Sequence, residues 1–258
     1  MKILKSIYNL LFHFLGINLK VLLSLYNLPR FIKEIFIFKK KGGKINNIFP
    51  ILYDYNDDAG NIRNHYFHQD LRVSSLLFKD RPSNHIDVGS RIDGFISSIS
   101  IFMEVSVLDI RKLDLQKNNI NFIQGDIMDH KFNSDQKFKS VSCLHTLEHF
   151  GLGRYNDKIN PEGYLVGFKN LYSLLDNGGK MYVSFPISSV RRIEFNAHRV
   201  FHYKDILNWI TKLNINDLEL ISFDLIDDNS KLHINQDLDK VLNYINFGCG
   251  IYTFKKLL

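Results

Sequence analysis

Residues 85–95, His85-Ile-Asp87-Val-Gly89-Ser90-Arg91-Ile-Asp93-Gly94-Phe95, carry the reading that decides the fold. His85 to Val88 read as a buried strand, Gly89 to Asp93 as a tight turn, and Gly94 to Phe102 as the helix behind it. A glycine at such a turn lets the backbone approach a ligand, because no Cβ stands in the way. Glu104 to Asp109 reads as the next strand. Asp109 lies 20 residues past Gly89, about the distance at which an acidic residue meets ribose hydroxyls in nucleoside-binding sheets. Ile120 to Gln124 form a third strand ending in Gly125-Asp126, and Phe138 to Leu144 a fourth ending in His145. Open α/β sheets bind ligands at the carboxyl ends of parallel strands, so polar residues at four successive strand ends point to a site.

The turn Gly89-Ser90-Arg91-Ile-Asp-Gly94 departs from the Gly-x-Gly-x-x-Gly of dinucleotide folds. Arg91 obstructs a pyrophosphate but suits a free carboxylate, which guanidinium grips with two hydrogen bonds. S-adenosylmethionine (SAM) has ribose, adenine and such a carboxylate, and no phosphate. The order Asp87, Gly89, Asp109, Asp126 resembles the SAM-binding posts of class I methyltransferases. That resemblance implies that Asp87 serves the methionyl end, Gly89 the close backbone approach, Asp109 the ribose diol and Asp126 the adenine amino group. Ser90, Ile110 and His145 join the expected cofactor set, with Ile127 against the adenine face.

Later segments complete the sheet. A helix is expected over Pro161 to Leu175, closed by Asn177-Gly-Gly179, then a strand over Met181 to Phe185 and a helix over Tyr203 to Leu213. Leu218 to Leu225 and Gly250 to Phe254 read as a final antiparallel pair. Helices alternating with seven strands predict a doubly wound, Rossmann-like α/β sheet. The expected organisation is a basic helical arm over residues 1–45, a connecting segment and helix over 46–80, and the SAM-binding domain over 81–258.

Net charge is +6, but residues 1–45 hold nine Lys/Arg against one acid, Glu34. The rest of the chain is therefore −2, which argues against a nucleic-acid partner. Apolar residues alternate with the basic ones in this arm: Leu10, Leu11, Phe14, Leu15, then Lys20, Leu22, Leu23, and later Phe31, Ile32, Lys33, Phe36, Phe38. Lys20 interrupts what would be a long apolar run, so a spanning helix is not favoured, and no Ala-x-Ala-like cleavage site follows. The plainer reading is helices that pack on the domain or on a second copy of the chain. The sharper one is a basic amphipathic helix on an anionic inner membrane surface, peripheral to a cytoplasmic protein. Cys143 and Cys249 are the only cysteines, read as free thiols in a reducing compartment.

A second constellation, His145-Thr-Leu-Glu148-His149, opens at the end of the fourth strand and runs into Phe-Gly-Leu-Gly-Arg154-Tyr155-Asn-Asp157. His-x-x-Glu-His is also a zinc-protease pattern, but that reading needs the motif within a helix of a hydrolase fold. Catalytic candidates are His149 and His198 as base, with Glu148 orienting a histidine. A divalent cation on His145, Glu148 and His149 stays open but is not favoured, since two imidazoles and a carboxylate suit Zn²⁺ better than Mg²⁺. Arg154, Tyr155, Arg191, Asn196 and Arg199 are the candidate acceptor contacts, the arginines for phosphate or carboxylate groups.

Five blocks then resemble one bacterial family: His65-Tyr-Phe-His-Gln-Asp-Leu71, His85 to Phe95, Leu108-Asp-Ile-Arg111, Leu144 to Asp157, and Glu194-Phe-Asn-Ala-His-Arg-Val-Phe201. That family is catalogued as a domain of unknown function with a class I methyltransferase fold, often in surface-polysaccharide gene clusters. The similarity covers roughly residues 28–203 and departs from the family at Asn156, where glycine is expected. It implies SAM-dependent O-methylation of a sugar or nucleotide-linked sugar. Alternatives are a small phosphorylated or amino acceptor, or a SAM-fold glycan-assembly protein without chemistry.

Overall fold

The computed structural model describes residues 12, 16, 18–57, 59–60, 62, 64–114, 119–129, 136–240 and 245–258. The chain divides into two compact units, residues 1–61 and 62–258. In the first, α1 (Leu19–Leu23) starts where the Asn18 side chain accepts from the Lys20 N–H, and a 3₁₀ turn (Ser24–Asn27) leads into α2 (Leu28–Lys40). Pro29 in the first turn of α2 loses no helical hydrogen bond there. Lys20 pairs with Asp57 at 2.6 Å, while Glu34 accepts from Arg30 and from the Tyr55 hydroxyl. Leu10, Leu11, Phe14 and Leu15 of the basic arm lie outside the described residues.

The second unit opens with α3 (His65–Asp80), capped by the Asn64 side chain on the Phe67 N–H. The sequence places this helix in a connecting segment; in the structure it belongs to the compact unit, burying Val73 and Leu77 in its core. The strands follow as β1 (His85–Val88), β2 (Val105–Asp109), β3 (Ile120–Gln124), β4 (Phe138–Leu144), β5 (Leu175–Ser188), β6 (Arg192–Glu194), β7 (His198–His202), β8 (Leu218–Ile226), β9 (Leu232–His233) and β10 (Gly248–Lys256). Their order is β3-β2-β1-β4-β5-β10-β8-β9. The first five are mutually parallel, and β10 runs antiparallel between β5 and β8. The expected seven strands form this sheet; β6, β7 and β9 are short additions at its margins.

Alternation along the strands gives the sheet two apolar faces. Val105, Val107, Leu144, Tyr182 and Ile251 pack with Val73, Leu77, Phe95 and Ile99 on one face. Leu108, Cys143, Met181, Val183 and Tyr252 pack on the other with α5 (Gly163–Leu174) and α6 (Asp205–Lys212), through Phe168, Leu171, Ile206 and Trp209. Two local expectations fail. The helix after β1 is a π-turn (Ile92–Ile96) running into one short α-turn, α4 (Ser97–Ile99). Asn177-Gly-Gly179 does not close α5 but lies inside β5: Phe138 pairs with Leu175 and Ser140 with Lys180, so the glycines form a bulge.

Candidate active site

The turn after β1 is built around Asp87. Its carboxylate is fully buried and accepts from the Ser90 N–H (2.9 Å), the Ser90 hydroxyl (2.7 Å) and the Ser142 hydroxyl of β4. Burial outweighs those three donors and pushes the Asp87 carboxyl up to about 7. Gly89 follows at φ +73°, its N–H donating to the Leu108 carbonyl. A Cβ there would stand 2.4 Å from the Thr146 methyl, so the ends of β1 and β4 meet at a distance only glycine allows.

One cleft opens across these strand ends. Gly89, Arg91, Asp109, Ile110, Asp126 and Ile127 line it from the ends of β1 to β3, and His145, His149 and Tyr155 from the segment after β4. Asp109 is gripped by Arg111 through both carboxylate oxygens, at 2.9 and 2.6 Å. Asp126 accepts from the Met128 N–H (2.8 Å), which turns the chain so that Ile127 lies buried in the wall. Arg91 pairs with Asp93 at the rim, 5.2 Å from the Tyr66 ring centre.

The far wall comes from the loop after β4. The Asp157 carboxylate accepts from the N–H groups of Gly151, Gly153 and Tyr155, winding the Gly-Leu-Gly-Arg-Tyr segment around itself. A Cβ at Gly151 (φ +76°) would stand 2.0 Å from the Asn160 carbonyl. Asn156 holds φ +63°, and asparagine tolerates this left-handed region better than most residues, so the departure from glycine keeps the turn. The loop presents the Tyr155 ring close to two guanidinium groups, Arg111 at 4.7 Å and Arg154 at 5.2 Å.

Three titratable side chains of this segment meet, two at the cleft surface and Glu148 behind them. His145 Nδ1 lies 2.8 Å from Glu148 Oε1, and His149 Nε2 lies 3.8 Å from the same oxygen. Burial opposes charge on both His145 and Glu148. The buried Cys249 and Glu148 nevertheless raise His145 well above its usual value, and His145 holds Glu148 below the usual carboxylate range. His149 donates from Nδ1 to the Ala197 carbonyl (2.7 Å), which leaves a lone pair on Nε2. Burial pulls His149 below its ordinary value, so its neutral form is the ground state at pH 7. His198 is also lowered by burial; its ring centre is 6.5 Å from that of His149, and Glu194 is within 3.5 Å.

Several expected contacts lie elsewhere. Asp87 and Ser90 do not line the cleft; they shape the turn from beneath, because each spends its polar atoms on the other. Glu148 is likewise buried behind the wall. Arg191 pairs with Asp205, and Arg199 is buried with its guanidinium on the Phe150 (2.6 Å) and Pro161 (3.2 Å) carbonyls, tying the loop down. Arg154 donates to the Ala197 carbonyl, and Asn196 is exposed outside the lining. Conversely, Tyr66, Arg111, Thr146 and Asp157 line the cleft without having been singled out as contacts. Arg111 carried a signal: a basic residue two positions past a strand-end aspartate can fold back on it.

Solved structures share this fold. The N-methyltransferase NodS of Bradyrhizobium japonicum, in complex with S-adenosyl-L-homocysteine, aligns over 78% of this chain and 93% of its own, at 14% identity and TM-score 0.51. A Burkholderia thailandensis 1,6-didemethyltoxoflavin-N1-methyltransferase, bound to its acceptor and S-adenosylhomocysteine, aligns over 74% and 79% at 12% identity and TM-score 0.52. The fold is that of the class I SAM-dependent methyltransferases. It does not decide the reaction: the [4+2]-cyclase SpnF aligns over 78% and 86% at 10% identity and TM-score 0.53. The family model that matches, over residues 91–211, is described as a Caenorhabditis protein of unknown function, DUF268. That finding corrects the bacterial family suggested by the sequence blocks. No curated protein matches the chain.

Proposed function

We propose that this protein is a SAM-dependent O-methyltransferase acting on a sugar or nucleotide-linked sugar. The observation that carries the reading is one cleft lined by Gly89, Asp109 and Asp126 from consecutive strand ends, with the His149 imidazole on its other wall. The residues fit the cofactor. Arg111 fills both acceptor positions of Asp109 Oδ1, with its backbone N–H and its Nε, and one position of Oδ2, which keeps the other for a ribose hydroxyl. Gly89 supplies bare backbone, and Ile127 an apolar surface suited to an adenine face.

When bound, SAM supplies a methyl carbon already activated by its sulfonium. The chain's work is alignment and removal of a proton. His149 Nε2 takes the acceptor hydroxyl's proton, while the Ala197 carbonyl fixes the ring and stabilises the imidazolium that forms. Glu148, 3.8 Å away, adds charge stabilisation to that imidazolium. Tyr155, with Arg111 and Arg154 close to its ring, suits an acceptor with both an apolar face and an anionic group, such as a sugar joined to phosphate.

Calorimetric titration with S-adenosylhomocysteine and with NAD tests the cofactor, and mass spectrometry of nucleotide sugars incubated with labelled SAM tests the reaction. Tight NAD binding without S-adenosylhomocysteine binding overturns the proposal. In the first unit, Leu22, Leu23, Tyr26, Phe36 and Phe38 are exposed on a segment that also exposes Lys33, Lys39, Lys40 and Lys41. No helix among the described residues is long and apolar enough to cross a membrane. The pattern supports peripheral contact with an anionic lipid surface, which salt-sensitive co-sedimentation with anionic vesicles tests.

A further inference from the structure

His65, His145 and Cys249 converge from three separate parts of the second unit. They are the first residue of α3, the residue just past β4, and the second residue of β10. Their donor atoms lie within 4.8 Å of one another, the one such group of three among the described residues. Around a tetrahedral ion with bonds of about 2.0–2.3 Å, neighbouring donors stand about 3.3–3.7 Å apart, so an adjustment of roughly an ångström closes the set. The histidine-rich motif after β4 does not supply the three ligands itself; only His145 takes part, and its partners are remote in sequence.

A second observation points to a ligand. The His145 side chain is 6% exposed, and its Nε2 is buried with no hydrogen-bond partner. Its other nitrogen, Nδ1, is engaged by Glu148 at 2.8 Å. Metal-bound histidines have this arrangement: one nitrogen on the ion, the other on a carboxylate that fixes the ring and its tautomer. The His145 ring is held further by His65, stacked at 5.3 Å, and by Tyr66 at 4.9 Å. Charge also balances. A divalent ion on one thiolate and two neutral imidazoles leaves +1, and the buried Glu148 carboxylate cancels it.

We propose that His65, His145 and Cys249 form a metal site for a borderline-soft divalent cation of the zinc type, with Glu148 as the carboxylate that orients His145. Two imidazoles and a thiolate select this class over Mg²⁺ or Ca²⁺, which take oxygen ligands. Three protein donors leave a tetrahedral ion one position, which a water molecule takes. The ion cross-links the start of α3 to the ends of β4 and β10, beside the cleft but independent of the methyl-transfer reading.

The test uses the full chain, stripped of metal and titrated with Co²⁺ and then Zn²⁺, with no SAM and no acceptor. We expect one equivalent of Co²⁺ with a thiolate-to-cobalt charge-transfer band, displaced by Zn²⁺. Cys249→Ser abolishes the band, whereas Cys143→Ala, on the opposite face of the sheet, keeps it. Glu148→Gln retains the band with affinity lowered about 10–100-fold. Absence of the band in the wild type, or an unchanged band in Cys249→Ser, overturns the site. If the variants fail to fold, the wild-type band and its displacement by Zn²⁺ decide alone.

Discussion

The two sides of the cleft treat their polar groups in opposite ways. On the side of β1 to β3 the acids are satisfied within the chain: Asp87 by Ser90 and Ser142, Asp109 by Arg111, Asp126 by the Met128 N–H. On the side after β4, Glu148 Oε2 and His145 Nε2 are buried without hydrogen-bond partners. A buried polar atom left unpaired costs about 1–3 kcal/mol, and a fold keeps such atoms where their availability is useful. In the proposed reading the first side holds the cofactor, and the second reacts or coordinates.

The comparison makes its largest prediction at His149. In His149→Ala the methyl-transfer rate should fall roughly 10²–10⁴-fold, with S-adenosylhomocysteine affinity changed less than about twofold. Single-turnover kinetics beside calorimetry would separate the two, and a matching loss of affinity would merge the sides into one. Asp109→Ala should do the reverse, weakening cofactor binding by about 1.5–3 kcal/mol through loss of charged hydrogen bonds. Asp87→Asn should leave that affinity nearly unchanged, because Asp87 shapes the turn from beneath.

Stability should also respond to pH. His85 and Asp87 lie on one face of β1, and the Ser142 hydroxyl contacts both. Burial pushes His85 down to about 3 and Asp87 up to about 7. From pH 4 to 6.5 the folded state keeps a proton on Asp87 that the unfolded chain gives up, so this group's contribution to stability falls as pH rises. Over the same window the folded state excludes a proton from His85 that the unfolded chain binds, so that contribution rises. The two cancel. Asp87→Asn unmasks the His85 slope, and its stability relative to wild type should rise by about 1.4 kcal/mol per pH unit across the window. Chemical denaturation at pH 4.5, 5.5 and 6.5 checks it; a flat difference would mean that Asp87 is ionised in the fold. The smallest effect on the reaction belongs to Arg191, whose pair with Asp205 leaves the guanidinium largely exposed. Arg191→Ala removes donors from the buried Asp205 carboxylate and should cost about 1–3 kcal/mol in a thermal melt, with the rate unchanged.

Much of the sheet was legible because buried parallel strands are short apolar runs that end in polar residues. His85–Val88, Ile120–Gln124 and Phe138–Leu144 appear as read. A strand end, however, does not say which way its last side chain faces. Asp87 and Asp109 look alike in sequence, yet one is sealed beneath the turn and the other lines the cleft. Arg199 teaches a related lesson. A guanidinium advertises anion binding, but Arg199 spends its donors on the carbonyls of Phe150 and Pro161, partners that no local pattern announces. His65 and Cys249 stand 184 residues apart, and only the closed sheet brings them together.

The position of β10 bears on how the molecule comes into being. Ribosomal synthesis delivers residues 248–256 after every other strand, yet they fill the slot between β5 and β8. Until they arrive, a nascent chain holds two unpaired strand edges facing each other across a gap, both able to recruit foreign strands. Folding of the sheet is therefore completed from the inside after translation of that segment, and shortening the chain by these nine residues should produce aggregation rather than a smaller domain.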